Sequence, residues 1–335
     1  MKHLSFASTC LLVSLAATGC GLEEQLPERA IFVANGSAST ISVIDPKDGR
    51  VTDEITLDEG FHPHHLSLSP DGEKLAVAAP TTDFSGGHDH GTGGGTSKVY
   101  LLDSGSGSQS GVLDVDATVH NAVFLDDFST LVLAMMEHGM IAGYGVDKLD
   151  EQWTTGVGAD PLEVTSVGGD RLVVANSGDG TLSIVDSASH KSLDLAEVGD
   201  TPVAMWATPG GLFVSLEGAK QVAIVNPGNL TEVTGTYDVG GVPGQVAATE
   251  SGGEIWIAVE DRGVIEVRDA KTGDVAHTIE VGGKPHGVHI DREGGLVYVT
   301  DEGASRVVLV DLASHEVKGE IAVGKGPNGI LQNSF

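Results

Sequence analysis

Histidine is the side chain whose placement in this sequence could do chemistry. Thirteen occur in 335 residues, and several stand at one point of a recurring phrase: a Pro, two variable residues, a short apolar strand and a polar turn. The stretch 61–72 is the fullest copy, with His64 and His65 directly after Pro63; the phrase returns at Pro285-His286-Gly287 and, in variant form, at Val119-His120-Asn121. Seven copies align on the Pro column, at Pro63, Val119, Pro161, Pro202, Pro243, Pro285 and Pro327. The next residue is His64, His120, Leu162, Val203, Gly244, His286 or Asn328. The one after it is His65, Asn121, Glu163, Ala204, Gln245, Gly287 or Gly329. Imidazole is the common protein ligand for zinc, copper, iron and nickel. A lone His in such a column is more simply a polar residue lining a channel. Histidines collected at one structural position point instead to a transition-metal site.

Two loops add donors. Glu137-His138-Gly139 follows the apolar run 131–135, flanked by Met135, Met136 and Met140. Methionines there are ordinarily core filler, yet thioethers beside imidazoles keep copper(I) among the candidates. The second loop, 81–96, is long, rich in Gly and Thr, and carries His88-Asp89-His90. Long loops in compact domains tend to be functional or disordered, and this composition is flexible. The expectation is a zinc or copper ion with His64, His120 and His286 as core ligands and His65 or His138 completing the shell. His88 and His90 would capture the ion or hand it over. His62 and His289 are set apart, His289 lying deeper on its strand, where it can simply pack. His190 and His315 near outer turns, and His277 on an outer strand, read as surface. Calcium held by oxygens of Glu163, Asn121 and Asn328 is the competing arrangement.

The elements that must bring these residues together repeat about every 40–45 residues, the period of a propeller blade. Each unit has an alternating strand, a small polar loop, and a second strand ending in Asp or Asn. The pairs are 31–35 with 41–45, 75–79 with 99–103, 131–135 with 141–147, 172–176 with 182–186, 212–215 with 222–226, 255–259 with 264–269 and 297–301 with 307–311. Turns such as Asp48-Gly49, Pro70-Asp71-Gly72 and Thr272-Gly273-Asp274 supply hairpin residues. Four short strands cannot bury both faces alone, so neighbours must stack. Seven units closing radially predict an all-β, seven-bladed β-propeller with four-stranded blades. The first unit begins at its second strand, near Ala30, and the last phrase, 326–331, has no blade after it. That C-terminal inner strand is expected to close the first blade and remove a loose edge. Around such a ring His286, Asn328, His64 and His120 are consecutive.

Composition excludes some partners. Asp and Glu total 48 against 18 Lys and Arg, a formal charge of −30. Nucleic acid and anionic lipid surfaces both require a basic footprint. No Gly-x-Ser-x-Gly elbow, phosphate-binding loop or cysteine nucleophile is present, and the carboxylates single out no acid/base pair. The N-terminus reads as an address: Lys2 and His3, then an apolar run 4–17 too short to span a bilayer. It ends in Ala17-Thr18-Gly19-Cys20, which resembles a bacterial lipobox, with Ala17 where Leu is commoner. The organisation expected is a signal peptide over 1–19, lipidated Cys20 and a tether over 20–28, and the propeller over 29–335. Cys10 falls in the removed segment, so no disulfide is expected. Gly21 after Cys20 implies, by the same resemblance, the outer membrane, on its periplasmic or surface face.

Val297-Tyr298-Val299-Thr300-Asp301, Val173-Val174-Ala175-Asn176 and Phe32-Val33-Ala34-Asn35, with Ser69-Pro70-Asp71-Gly72, resemble the YVTN-type propeller repeat family. The resemblance covers nearly all of the mature chain. It implies the fold but not one activity, since lactonase-like enzymes, surface-layer proteins and metal-associated periplasmic proteins share it. The histidine arrangement is similar in outline to nitrous oxide reductases, although this chain has fewer such histidines and lacks a cysteine-bearing copper domain. It also resembles, more loosely, periplasmic zinc-chaperone propellers with a His-rich loop. The functional expectation is a monomeric, lipid-anchored envelope protein that carries or senses a metal, with an envelope protein as its partner. A metal-free interaction scaffold and a lactonase-like hydrolase are the alternatives.

Overall fold

The strands of this protein sort into seven sheets of four, each antiparallel and each built from consecutive segments except the first. The structure, a computed structural model, describes residues 25–86, 95–249 and 252–333. Blade 1 is Pro327–Gln332, Ile31–Asn35, Thr40–Asp45 and Arg50–Thr56, so the C-terminal strand does complete the first sheet. Its register is Ile31 opposite Gln332 and Phe32 opposite Leu331. Blades 2 and 3 start at Leu66–Leu68 and Val119–Phe124. Blades 4 to 7 start at Pro161–Gly168, Pro202–Thr208, Pro243–Ala248 and Pro285–Asp291. Each inner strand packs on the next, and the inner strand of blade 7 packs on those of blades 6 and 1, which closes the ring. Among the described residues the only helical elements are single 3-10 turns.

Burial follows radial position. The second strands are apolar runs enclosed between two neighbouring blades; Thr130–Met135 and Gly211–Leu216 are buried at every position. The fourth strands face water. Lys191–Glu197 buries only Ala196, and Arg50–Thr56 carries Arg50, Asp53 and Glu54 along an outer edge. Charge on an exposed edge strand discourages pairing with another chain.

The recurring Asn and Asp residues have separate tasks. An Asp closing the third strand caps the outer turn: Asp103 Oδ1 accepts the Ser106 amide at 2.8 Å, and Asp269 and Asp311 do the same for Thr272 and Ser314. Those bonds hold the Asp269 and Asp311 carboxyls below the usual range. The Asn closing the second strand braces the inner hairpin. Asn176 Nδ2 donates to Thr181 Oγ1 and Ser183 Oγ, both at 2.9 Å, and Asn35 does likewise to Thr40 and Ser42. Blade 7 has Asp301 in this place, and its partner changes to match: Arg306 Nε meets Asp301 Oδ2 at 2.9 Å. Asn176→Ala removes two buried hydrogen bonds and is expected to cost roughly 1–3 kcal/mol. A chemical-denaturation midpoint unchanged by this substitution would show that the brace contributes nothing.

Candidate metal centre

The two variable residues of the repeated phrase coincide with an irregularity in the inner strands. Pairing with the second strand slips between Val119 and Ala122, between Pro161 and Glu163, and between Pro285 and Val288. A bulge of this kind re-aims side chains. Here it turns residues that follow the Pro column toward the axis. In blade 2 the ladder runs above the regular strand, with His64 N donating to Ala78 O at 2.9 Å and Ala78 N to His65 O at 3.1 Å. His64 and His65 are therefore fixed by backbone bonds although they are consecutive residues. The neighbouring inner strand sits very close. Gly329 N donates to His64 O at 3.0 Å, and a Cβ at Gly329 would collide with that carbonyl. A Cβ at Gly287 would likewise strike the Asn328 carbonyl.

Three imidazoles converge on this frame. Ring centroids are 4.2 Å apart for His64 and His120, 4.5 Å for His65 and His120, and 4.8 Å for His64 and His65. One nitrogen from each lies within 4.8 Å of the other two. His64 and His120 are buried and His65 is half-buried. Three nitrogens bonded tetrahedrally to one zinc or copper ion stand about 3.3 Å apart, given metal–nitrogen bonds of about 2.0–2.1 Å. The nitrogens lie within 4.8 Å of one another, so a bound ion would have to draw the rings closer together.

The end of the channel above them is closed by a residue the sequence reading passed over. Phe84, in the 3-10 turn Phe84–Gly86 of the long blade 2 loop, is buried and meets His64 and His120 edge-on, at 5.5 Å and 5.2 Å. It packs with Met136, Leu162, Val203 and Ala204. An aromatic side chain alone in a polar, Gly-rich loop was the available signal. The described part of this loop is held down on blade 7, where Lys284 Nζ donates to Ser85 O at 3.2 Å. It also touches blade 1, where Ser37 Oγ donates to Asp83 at 2.8 Å.

His286 stands beside this trio, 5.3 Å from His64 by ring centroid, but in a different environment. Its Nδ1 is 2.7 Å from Glu260 Oε1 and 3.8 Å from Glu302 Oε1. Lys284 Nζ joins the same two carboxylates, at 3.3 Å and 2.8 Å. Burial opposes a charge on His286, yet Glu302 and Glu260 outweigh it and raise its pKa. The same carboxylates raise Lys284 against the pull of burial, while burial raises Glu302. Glu260, Glu302, Lys284 and His286 thus form a coupled cluster next to the imidazoles. The expected core of His64, His120 and His286 is therefore redrawn: the close group is His64, His65 and His120, with His286 tied to carboxylates. Lys284 was missed, although it is the one Lys or Arg directly preceding the aligned Pro column.

The remaining expected donors lie elsewhere. His138 is exposed on the turn Met136–His138 and is not in the close group. Its neighbour Glu137 accepts the Thr118 amide at 2.7 Å and the Gly95 amide at 3.0 Å. Those bonds, set against burial, lower its pKa. His88, His90 and Cys20 fall outside the described residues. His289 packs against Gln332 at 3.4 Å, as its depth suggested. His315 corrects the surface reading: it is half-buried and stacks on His277 at 3.9 Å and on buried Trp256 at 5.3 Å. His190 lies flat on Trp153 at 4.2 Å.

The calcium arrangement loses its geometry. Asn121 Oδ1 accepts the Val164 amide at 3.0 Å and Asn121 Nδ2 donates to Val164 O at 3.3 Å, so the amide serves to join blades 3 and 4. Burial pushes Glu163 up to about 8, although the Met205 amide bonds the carboxyl and His286 lowers it.

No family model matches the chain, and no curated protein matches it. The YVTN-type resemblance therefore rests on its motifs alone. Solved structures do match. The periplasmic gluconolactonase PpgL of Pseudomonas aeruginosa superposes with a TM-score of 0.73 at 18% identity, over 91% of this chain and 98% of that one. The dihydro-heme d1 dehydrogenase NirN gives 0.69 at 12% identity, over 95% and 78%. Hydrazine synthase of Kuenenia stuttgartiensis gives 0.65 at 17%, over 80% and 88%. The likeness is one of fold. It agrees with the seven-bladed ring and, at these identities, carries no activity across.

Glu163 yields a pH test. Its pKa is raised on folding, so its contribution to stability is intact below the unfolded value of about 4.3 and is lost as pH rises toward 8. Glu163→Gln should therefore gain stability over the parent between pH 5 and 8, by on the order of a few kcal/mol at the upper end. Equal pH profiles for the two proteins in denaturant titrations would refute the shift.

Proposed function

We propose that this protein is a lipid-anchored propeller of the cell envelope that binds one transition-metal ion, zinc or copper, through His64, His65 and His120. The observation that carries the reading is the convergence of one nitrogen from each ring within 4.8 Å at a site where two of the three are buried. An all-imidazole set suits zinc and copper and is a poor match for calcium or magnesium, which take oxygen ligands. Three protein ligands leave a fourth position open, as in sites that exchange or present a ligand.

His286 takes a supporting place in this reading. Its carboxylate partners orient the ring beside the site, as acids commonly do for histidines around a metal. His138 and the pair His88 and His90 remain the proposed donors for capture before the ion reaches the closed site. Cys20 remains the proposed lipid attachment, and the acidic surface favours attraction of cations from solution.

The test is metal analysis of protein purified without a histidine tag, followed by zinc and copper titration. One ion per chain is expected. His64→Ala and His120→Ala should each weaken binding by roughly 100-fold or more, since even loss of an outer partner costs about 10–100-fold. His286→Ala should cost less. Retained affinity in the His64→Ala, His120→Ala double variant would exclude the site, and no uptake by the parent would favour the metal-free scaffold. Replacing His88 and His90 with Ala should slow uptake in stopped-flow measurements while leaving the endpoint unchanged.

A further inference from the structure

The channel does not end at the imidazoles. Below them, on the side away from Phe84, the inner strands of all seven blades line a cavity of about 390 Å³. It continues past Trp206 and His289 to a rim carrying Arg29, Arg292 and Glu293. That volume lies within the range of small-molecule sites, about 300–1,000 Å³.

The lining has an unusual charge character for a chain of net charge −30. Among the described residues no Lys, Arg or Asp contributes to it; its polar groups include His65, Asn121, Glu163, Thr165, Gln245 and His289. Glu163, the one acid, has the raised pKa described above, and burial holds His289 below its ordinary value. Among the described residues the wall is therefore polar and offers no Lys or Arg side chain to an anion. Two features call for a hydrogen-bonding occupant. Glu163 is 8% exposed, and its Oε2 has no hydrogen-bond partner among the described residues. Gln245 Nε2 reaches His65 Nδ1 only at 3.4 Å, a long contact at the limit of a hydrogen bond. The indole of Trp206, half-buried, adds an apolar face to the same wall.

We infer that this cavity binds a small, uncharged, hydroxyl-rich molecule of monosaccharide size. An anionic ligand would leave water without meeting a cationic Lys or Arg in this wall, which is costly. A purely apolar ligand would strand the Glu163 carboxyl oxygen, which is costly as well. A polyol satisfies both, since each hydroxyl donates and accepts, while its C–H face covers the indole. The cavity opens by the face opposite Phe84, so occupancy does not require the loop of blade 2 to move.

The inference goes beyond the metal reading and does not depend on it, so the experiment uses metal-stripped full-length protein. Saturation-transfer NMR would compare methyl α-glucopyranoside with glucuronate, a neutral and an anionic probe of similar size. Saturable transfer to the glycoside and none to glucuronate is expected. Glu163→Leu and Trp206→Ala should each weaken glycoside binding by roughly tenfold. Glu163→Gln keeps a neutral hydrogen-bonding group of the same shape and should stay close to the parent. Circular dichroism establishes that each variant is folded. No transfer to the glycoside, equal or stronger binding of glucuronate, or full binding by both Glu163→Leu and Trp206→Ala would overturn the inference. Repeating the titration after zinc loading leaves these outcomes separable from any failure of metal uptake.

Discussion

The pairing of Ile31–Asn35 with Pro327–Gln332 is the constraint on which everything else depends. Seven wedge-shaped sheets define an axis only if the last is fastened to the first, and this antiparallel seam does the fastening. It also passes directly by the site. The strand that closes blade 1 carries Asn328 and Gly329, and the Gly329 amide is bonded to the His64 carbonyl. A relaxed seam would release His64 from one side, and the distances between imidazoles on blades 2 and 3 would no longer be fixed. Closure and site geometry are thus one physical fact seen at two radii.

Within the closed ring, a local defect sets the direction of the side chains. A regular strand points successive residues to opposite faces. Consecutive His64 and His65 could not then join one cluster. The slip that follows the Pro column relaxes this alternation, and the repeated Pro and its two successors mark where it occurs. Crowding is the accompanying cost. Neighbouring inner strands approach until Gly is required where they touch, which accounts for Gly287 and Gly329 in a column that elsewhere holds His65, Asn121, Glu163 and Gln245.

Much of this was legible in the sequence because it is periodic. Strand count, blade count, closure by the C-terminal strand and the convergence of His64 with His120 all follow from repeats that impose the same geometry seven times. What escaped detection was specific to one blade. His286 occupies the right column, and loops on the same face carry Glu260 and Glu302, but no spacing rule gives their pairing with His286 and with Lys284 just ahead of its strand. Phe84 acts through a long loop whose path is set by contacts with blades 1 and 7. Asn121 was read as a free oxygen donor because sequence does not reveal that both ends of its amide are committed to Val164. His315 was read as surface because stacking on Trp256 depends on how two blades abut.

The aromatic cap has a consequence for ion selection. Phe84 and its apolar neighbours Met136, Leu162, Val203 and Ala204 present hydrocarbon to one side of the imidazoles. A cation bound by the three imidazoles would shed part of its hydration shell in exchange for nitrogen ligands. Magnesium gives up its waters reluctantly and gains little from imidazole, whereas copper and zinc gain much. For the ion proposed above, this hydrocarbon side would act as a dehydration filter, sorting ions by how readily they exchange water for nitrogen.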